Sequence, residues 1–211
     1  MIRKMILSLA GVGLAIGVCH GQAGLRWSAE RNILPPNYGA SEARVVILSD
    51  GSINVTFRGS LQEEAELGGI YFTRSTNQGY SWDRPVPAVS LSGILPVSHE
   101  LITDGDNLMA FVAIDRLARF EVQQFLSSTR GSTWRPSETV FSEVDIIKGM
   151  SAWRMQDQLC LMILTERRRP AGDSEFTFWL VKGRSSGAYW DVPMKVANFF
   201  ATSATNLRKV E

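Results

Sequence analysis

The sequence predicts an all-β fold built from a repeated four-stranded unit. Three observations carry this reading. Short runs rich in β-branched and aromatic residues dominate, and no stretch of about twelve residues keeps a helical apolar period. Asp-Gly turns stand between such runs, a strong hairpin signal. An eight-residue polar motif ending in Trp recurs with a spacing of 52 residues, from Trp82 to Trp134. A fixed period near 50 with four short strands per unit is the pattern of a β-propeller or a similar array.

The first unit covers about 42–90. Its strands are Arg44–Ser49 and Ser52–Phe57 across Asp50-Gly51, then Gly69–Arg74. The second, about 91–143, repeats the order: Glu100–Thr103 and Asn107–Val112 flank Asp104-Gly105-Asp106, and Phe120–Leu126 follows. The third, about 144–196, has Gly149–Arg154, a turn near Gln156-Asp157, Gln158–Leu164, and then Glu175–Val181. Residues 197–211 are expected to begin a further unit. After each third strand comes the motif: Ser75–Trp82, Ser127–Trp134 and a degraded Gly183–Trp190, each followed within three residues by Pro85, Pro136 or Pro193. Trp27 falls 55 residues before Trp82, in the same register.

The first 23 residues read as an address. Arg3 and Lys4 precede an apolar run, Met5–Val18, too short for a comfortable membrane span, and Gly21-Gln22-Ala23 offers small residues for cleavage. A lipoprotein signal at Cys19 is disfavoured because Val18, not a small residue, precedes it. The expected product is secreted, periplasmic or extracellular, with no membrane span after cleavage. Losing Arg3 and Lys4 leaves 20 basic against 21 acidic side chains, a net charge of −1, so no nucleic-acid footprint is expected. The same cut leaves one Cys and one His. Cys160, within an apolar run, reads as a buried small hydrophobe, and His99 as a strand-edge or loop histidine. No Gly-x-Ser-x-Gly is present, so a Ser-His-Asp triad is not expected, nor is a metal site or any cofactor. Asp104-Gly105-Asp106 reads as a turn, not a calcium loop, and the Asn54 sequon lies inside a strand.

The octapeptide resembles the Asp-box, S-x-D-x-G-x-T-W, of the sialidase-like superfamily, also called BNR repeats. The first copy has Asn77 at the Asp position and Ser81 at the Thr position, and the second has Thr129 at the Asp position. The resemblance covers about 42–196 and implies a sialidase-like β-propeller. In the family the box joins strands three and four, opposite the active site. That assigns structural roles to Ser75, Asn77, Gly79, Trp82, Ser127, Thr129, Gly131 and Trp134. A short polar side chain bonds its own loop, the glycine takes a positive φ, and the Trp folds back on the blade.

An up-and-down sheet collects the loops between strands two and three on the end opposite the boxes. There the sequence places Arg58 to Gly68, Asp115 to Arg119 and Glu166 to Ser174, which are dense in charge. Arg58, Arg116, Arg119, Arg167, Arg168 and Arg169 are candidate ligand-binding groups, since guanidinium forks suit carboxylates. Glu63, Glu64 and Glu66 are candidate acids. A solvated loop face is the competing reading.

The resemblance implies exo-hydrolysis or recognition of terminal acidic sugars. Active sialidases hold the substrate carboxylate with three Arg and use an Asp acid/base and a Tyr–Glu nucleophile pair. Here the family's Arg-Ile-Pro is missing, with Arg44 the nearest residue. No Tyr–Glu pair can be assigned, and Tyr71, Tyr80 and Tyr189 look structural. The catalytic set is therefore incomplete, and this chain alone is expected to be inactive. A non-catalytic propeller binding a glycan or a protein is the alternative, and an assembly factor a more distant one. Sialidase propellers have six blades, and this sequence supplies about three to four. It is expected to be part of a longer chain, a small propeller closed by the Trp27 strand, or half of a self-associated one.

Overall fold

The computed structural model describes residues 33–34, 38–61, 69–90, 96–170, 172–184, 187 and 189–201. Every element in them is a strand: β1 (Tyr38–Ile47), β2 (Ile53–Leu61), β3 (Gly69–Ser75), β4 (Val86–Ser90), β5 (Pro96–Asp104), β6 (Asn107–Asp115), β7 (Phe120–Ser127), β8 (Arg135–Glu143), β9 (Ile146–Met155), β10 (Gln158–Arg168), β11 (Ser174–Arg184) and β12 (Met194–Ala201). They form three antiparallel sheets of four strands, each in chain order. The repeat read from the Trp spacing is thus one sheet per period. Residues 197–201, expected to begin a further unit, lie in β12 and finish the third sheet. The Trp27 strand and the leader lie outside the described residues.

The sheets stack side by side, with β5 against both β1 and β9. β1, β5 and β9 are therefore the inner strands of the array. One apolar seam joins the first two sheets, with Leu48, Ile70 and Phe72 against Leu101, Leu108, Ala110 and Val112. A second joins the second and third, with Phe111, Ala113 and Phe141 against Ile147, Leu159, Leu161 and Ile163. β6 lies between both seams. Its run Leu108–Ile114 is at most 1% exposed, which explains why that strand reads as continuously apolar instead of alternating. The outer face of the first sheet, Ile53, Val55, Phe57 and Tyr71, is also buried, with Leu34 packed on it. Cys160 is buried and free, as its apolar run predicts.

His99 departs from expectation. It sits within β5, fully buried, instead of at a strand edge or in a loop, and its Nε2 lies 3.1 Å from Thr56 Oγ1 on β2. The alternation of β5 turns it toward the first sheet, and a small polar partner waiting there makes burial tolerable.

Candidate functional site

Sheet topology sorts the loops as the sequence implies. The β1–β2, β5–β6 and β9–β10 hairpins share one end with the boxes, and β2–β3, β6–β7, β10–β11 and β8–β9 turn at the other. The two complete boxes are self-bonded turns. Ser75 Oγ accepts from Gly79 N at 2.8 Å, and Asn77 Oδ1 from Ser81 N at 2.9 Å. In the second, Ser127 Oγ accepts from Gly131 N at 2.8 Å, and Thr129 Oγ1 takes over the role of the Asp position, accepting from Thr133 N at 2.8 Å. Gly79 and Gly131 have φ of +87° and +91°. Gly131 has a second reason to lack a side chain: a Cβ there would stand 2.0 Å from Phe72 of the preceding sheet. Trp82 and Trp134 are half-buried. Trp134 meets Phe72 edge-on, and its Nε1 donates to the Gly131 carbonyl.

At this box end Arg130 reaches across the seam. It bonds Asp50 on the first sheet, at 2.9 Å, and Asp106 on its own. Arg74 also bonds Asp50, at 2.9 Å, and Ser49 Oγ donates to Asp106. The Ser52 side chain and amide, with the two guanidiniums, hold the Asp50 carboxyl below its usual range. Ser49 and Arg130 do the same for Asp106. This network ties one sheet to the next and leaves its charges mutually satisfied.

At the opposite end the predicted arginines do not converge on one anion pocket. Arg116 lies 3.4 Å from Glu121, while Arg119 is exposed in the β6–β7 turn. On the third sheet Arg167 bonds Asp145 at 2.9 Å, and Arg168 lies 3.8 Å from Glu166, which also meets Lys148 at 3.2 Å. Ser174 Oγ donates to Glu166 at 2.6 Å and is the main reason its carboxyl titrates below the ordinary glutamate range. Arg169 lies 3.3 Å from Glu175 and stacks over Phe200 at 4.3 Å. Each of these guanidiniums except Arg119 has a carboxylate within 4.0 Å. Glu63, Glu64 and Glu66 lie outside the described residues.

Arg58, on β2, belongs to a different grouping, beside the inner strands β1 and β5. Its Nη1 donates to the carbonyls of Pro96 and Val97, at 3.3 and 3.0 Å, and its Nε to Ser41 Oγ at 3.3 Å. Its Nη2 lies 3.6 Å from Glu42 Oε1. Glu42 sits where the β1–β2 register breaks between Ser41 and Arg44, with φ of +52°. A non-glycine residue there carries strain of about 1–2 kcal/mol, and bulges of this kind re-aim side chains beside functional sites. The Glu42 Oε2 is buried without a hydrogen-bond partner. Two residues on, Arg44 Nε donates to Glu100 Oε1 of β5 at 2.9 Å. Burial raises the Glu100 carboxyl above the usual glutamate range, Arg44 opposes the rise, and the Glu42 charge adds to it.

Glu42, Arg44, Arg58 and Glu100 thus make a half-exposed, formally neutral cluster on β1, β2 and β5. Both guanidiniums are held by protein partners, and burial with the Glu42 charge favours the protonated form of Glu100, which would loosen its hold on Arg44. Only Arg58 was legible as a candidate. The bulge that turns Glu42 inward and the pairing of Glu100 across a seam leave no mark in a local pattern. Among the described residues no group of three or more His, Cys, Asp or Glu side chains is placed to hold a metal ion.

No family model matches the sequence, and no curated protein does. Solved structures do share the fold. The Penicillium chrysogenum α-L-arabinanase complexed with arabinobiose superposes with a TM-score of 0.58 at 12% identity, over 79% of this chain and 52% of that one. The GH93 α-L-arabinofuranosidase of Fusarium graminearum, also in complex with arabinobiose, gives 0.57 at 14% identity, over 77% and 51%. The Bombyx mori GH32 β-fructofuranosidase gives 0.56 at 13% identity, over 79% and 37%. The fold is that of a β-propeller, with three blades among the described residues. The chain spans about half the length of the arabinanase and the arabinofuranosidase whose fold it shares.

Proposed function

We propose that this chain is an exported, sialidase-like propeller that recognises carbohydrate at the inner-strand cluster Glu42, Arg44, Arg58 and Glu100, and that its ligand is a terminal acidic sugar. The observation that carries the reading is the strained Glu42 bulge, whose Oε1 lies 3.6 Å from the Arg58 guanidinium and whose Oε2 is buried without a hydrogen-bond partner. The Asp-box resemblance supplies the acidic-sugar class, and the glycosidase propellers that share the fold support a sugar as partner.

The chemistry follows from the pairing. A ligand carboxylate must take Arg44 from Glu100. Glu100 is already pushed toward its neutral form by burial and by Glu42, so a proton on Glu100 releases Arg44 for the ligand. Tyr71 is buried against Phe57, and Tyr80 and Tyr189 are exposed at the box end, so these three stand away from the cluster.

A neutral sugar is the second reading, favoured by the zero formal charge of the cluster. Calorimetric titration with sialyllactose and with arabinobiose separates the two. The proposal expects sialyllactose binding that weakens at least tenfold in Arg44→Ala, with neither sugar hydrolysed. Binding of arabinobiose alone would favour the second reading, and binding of neither would refute both. Export is checked by the N-terminus of the protein recovered outside the cytoplasm, expected at Gly24.

A further inference from the structure

The third sheet has one face with nothing packed on it among the described residues. Its inner face, through Leu159, Leu161, Ile163 and Val181, fills the seam with the second sheet. Strand alternation puts the neighbours of those residues on the other side. There the register aligns Trp153 with Cys160, Met162 with Leu180, Leu164 with Phe178, and Phe176 with Phe199. Phe199 stacks on Phe176 at 5.1 Å and leans on Phe178 at 6.0 Å. Trp153 and Phe199 are each 36% exposed, and Met162, Leu164, Phe178 and Leu180 are half-buried. The contrast with the first sheet is sharp. Its outer face, Ile53, Val55 and Phe57, is at most 3% exposed.

We infer that this face is an interface and that its occupant is a second copy of the chain, docked face to face about a two-fold axis. Two arguments select that occupant. The first is the number of open faces. Among the described residues one end of the stack is covered and the other is open, so these three sheets present a single open apolar face. An isologous pair uses both surfaces and closes, whereas a head-to-tail contact needs a second open face that the first sheet does not provide.

The second is area. Four strands spaced about 4.8 Å apart, each about ten residues long, present roughly 600 Å². Two such faces bury roughly 1,200 Å² in total, the lower bound of a stable protein–protein interface and well above a casual contact. Packed sheets stand about 10 Å apart, a gap that Trp and Phe side chains fill. An uncovered aromatic sheet face of this size is otherwise an aggregation hazard.

The test is the mass of the purified chain by light scattering across micromolar concentrations. The expected wild-type value is twice the mass of one chain. Leu180→Glu, at the centre of the face, should return it to the mass of one chain, and Phe199→Glu should weaken the pair. Val192→Glu, at a residue 88% exposed outside these strands, should leave it a dimer. Should Leu180→Glu fail to fold, amide exchange in wild-type β11 and β12 serves instead. It should slow as concentration rises, while β2 and β3 stay unchanged. A wild-type chain that runs at one-chain mass throughout, or a dimer that survives Leu180→Glu in folded form, overturns the inference.

Discussion

His99 makes the stability of this protein depend on pH in a way that one substitution should remove. It is fully buried, its Nε2 meets Thr56, and its Nδ1 has no hydrogen-bond partner. Burial first, then the Arg44 and Arg58 charges, lower its pKa from 6.5 to about 3, and Thr56 only partly opposes them. A depressed histidine pKa means the folded state refuses a proton that the unfolded chain accepts. Stability is therefore complete above the unfolded pKa and is lost as pH falls from about 6.5 toward about 3. Acidifying from about pH 7.5 to about pH 5 should cost about 2 kcal/mol from this residue, a large share of a stability of about 5–15 kcal/mol. Glu100 works the other way. Its raised pKa lets the folded state take a proton first, which offsets part of the loss. The clean quantity is thus a difference of differences. Urea unfolding followed by tryptophan fluorescence is measured at both pH values for wild type and His99→Gln. The variant should lose about 2 kcal/mol less on acidification than wild type does. The only other histidine in the sequence is His20, outside the described residues. Equal losses in the two proteins would refute a neutral, buried His99.

Three further outcomes are expected. Gly131→Ala should be far more damaging than Gly51→Ala. Both have positive φ, which costs about 1–2 kcal/mol, but only the Gly131 Cβ would meet the Phe72 ring, adding about 1–3 kcal/mol; thermal unfolding of the two variants compares them. Sialyllactose affinity should rise as pH falls through the elevated Glu100 range, and Glu100→Gln should flatten that dependence, read by titration at several pH values. Arg130→Ala should destabilise the seam between the first two sheets at low salt and much less at high salt, because its bonds to Asp50 and Asp106 lie at the surface; salt-dependent unfolding curves would show it.

The architecture was legible because it is local and repeated. The Asp-Gly turns, the period of the Trp residues and the box glycines each specify structure within a few residues, and all three occur where the sheets need them. Box chemistry even survives substitution, since Thr129 performs the turn bond that Asn77 performs. What stayed hidden depends on which strands meet. The loop arginines looked like a collected anion site, but Asp145 in the β8–β9 turn and Glu121 and Glu175 on β7 and β11 neutralise three of them. His99 and Glu100 are adjacent in sequence yet face different neighbours, one toward Thr56 and the other toward Arg44. Nothing in a six-residue window distinguishes these fates. The Glu42 bulge is subtler still, because its signal is a backbone angle rather than a residue type.

The most direct test of the account is to map where a sugar touches the folded chain. Sialyllactose added to the isotopically labelled protein should shift backbone amide signals from Glu42 to Arg44, at Arg58 and from His99 to Glu100, with the box turns unmoved. Shifts confined to the box end around Asn77 and Thr129, or to the Arg167–Arg169 loop, would contradict an inner-strand recognition site.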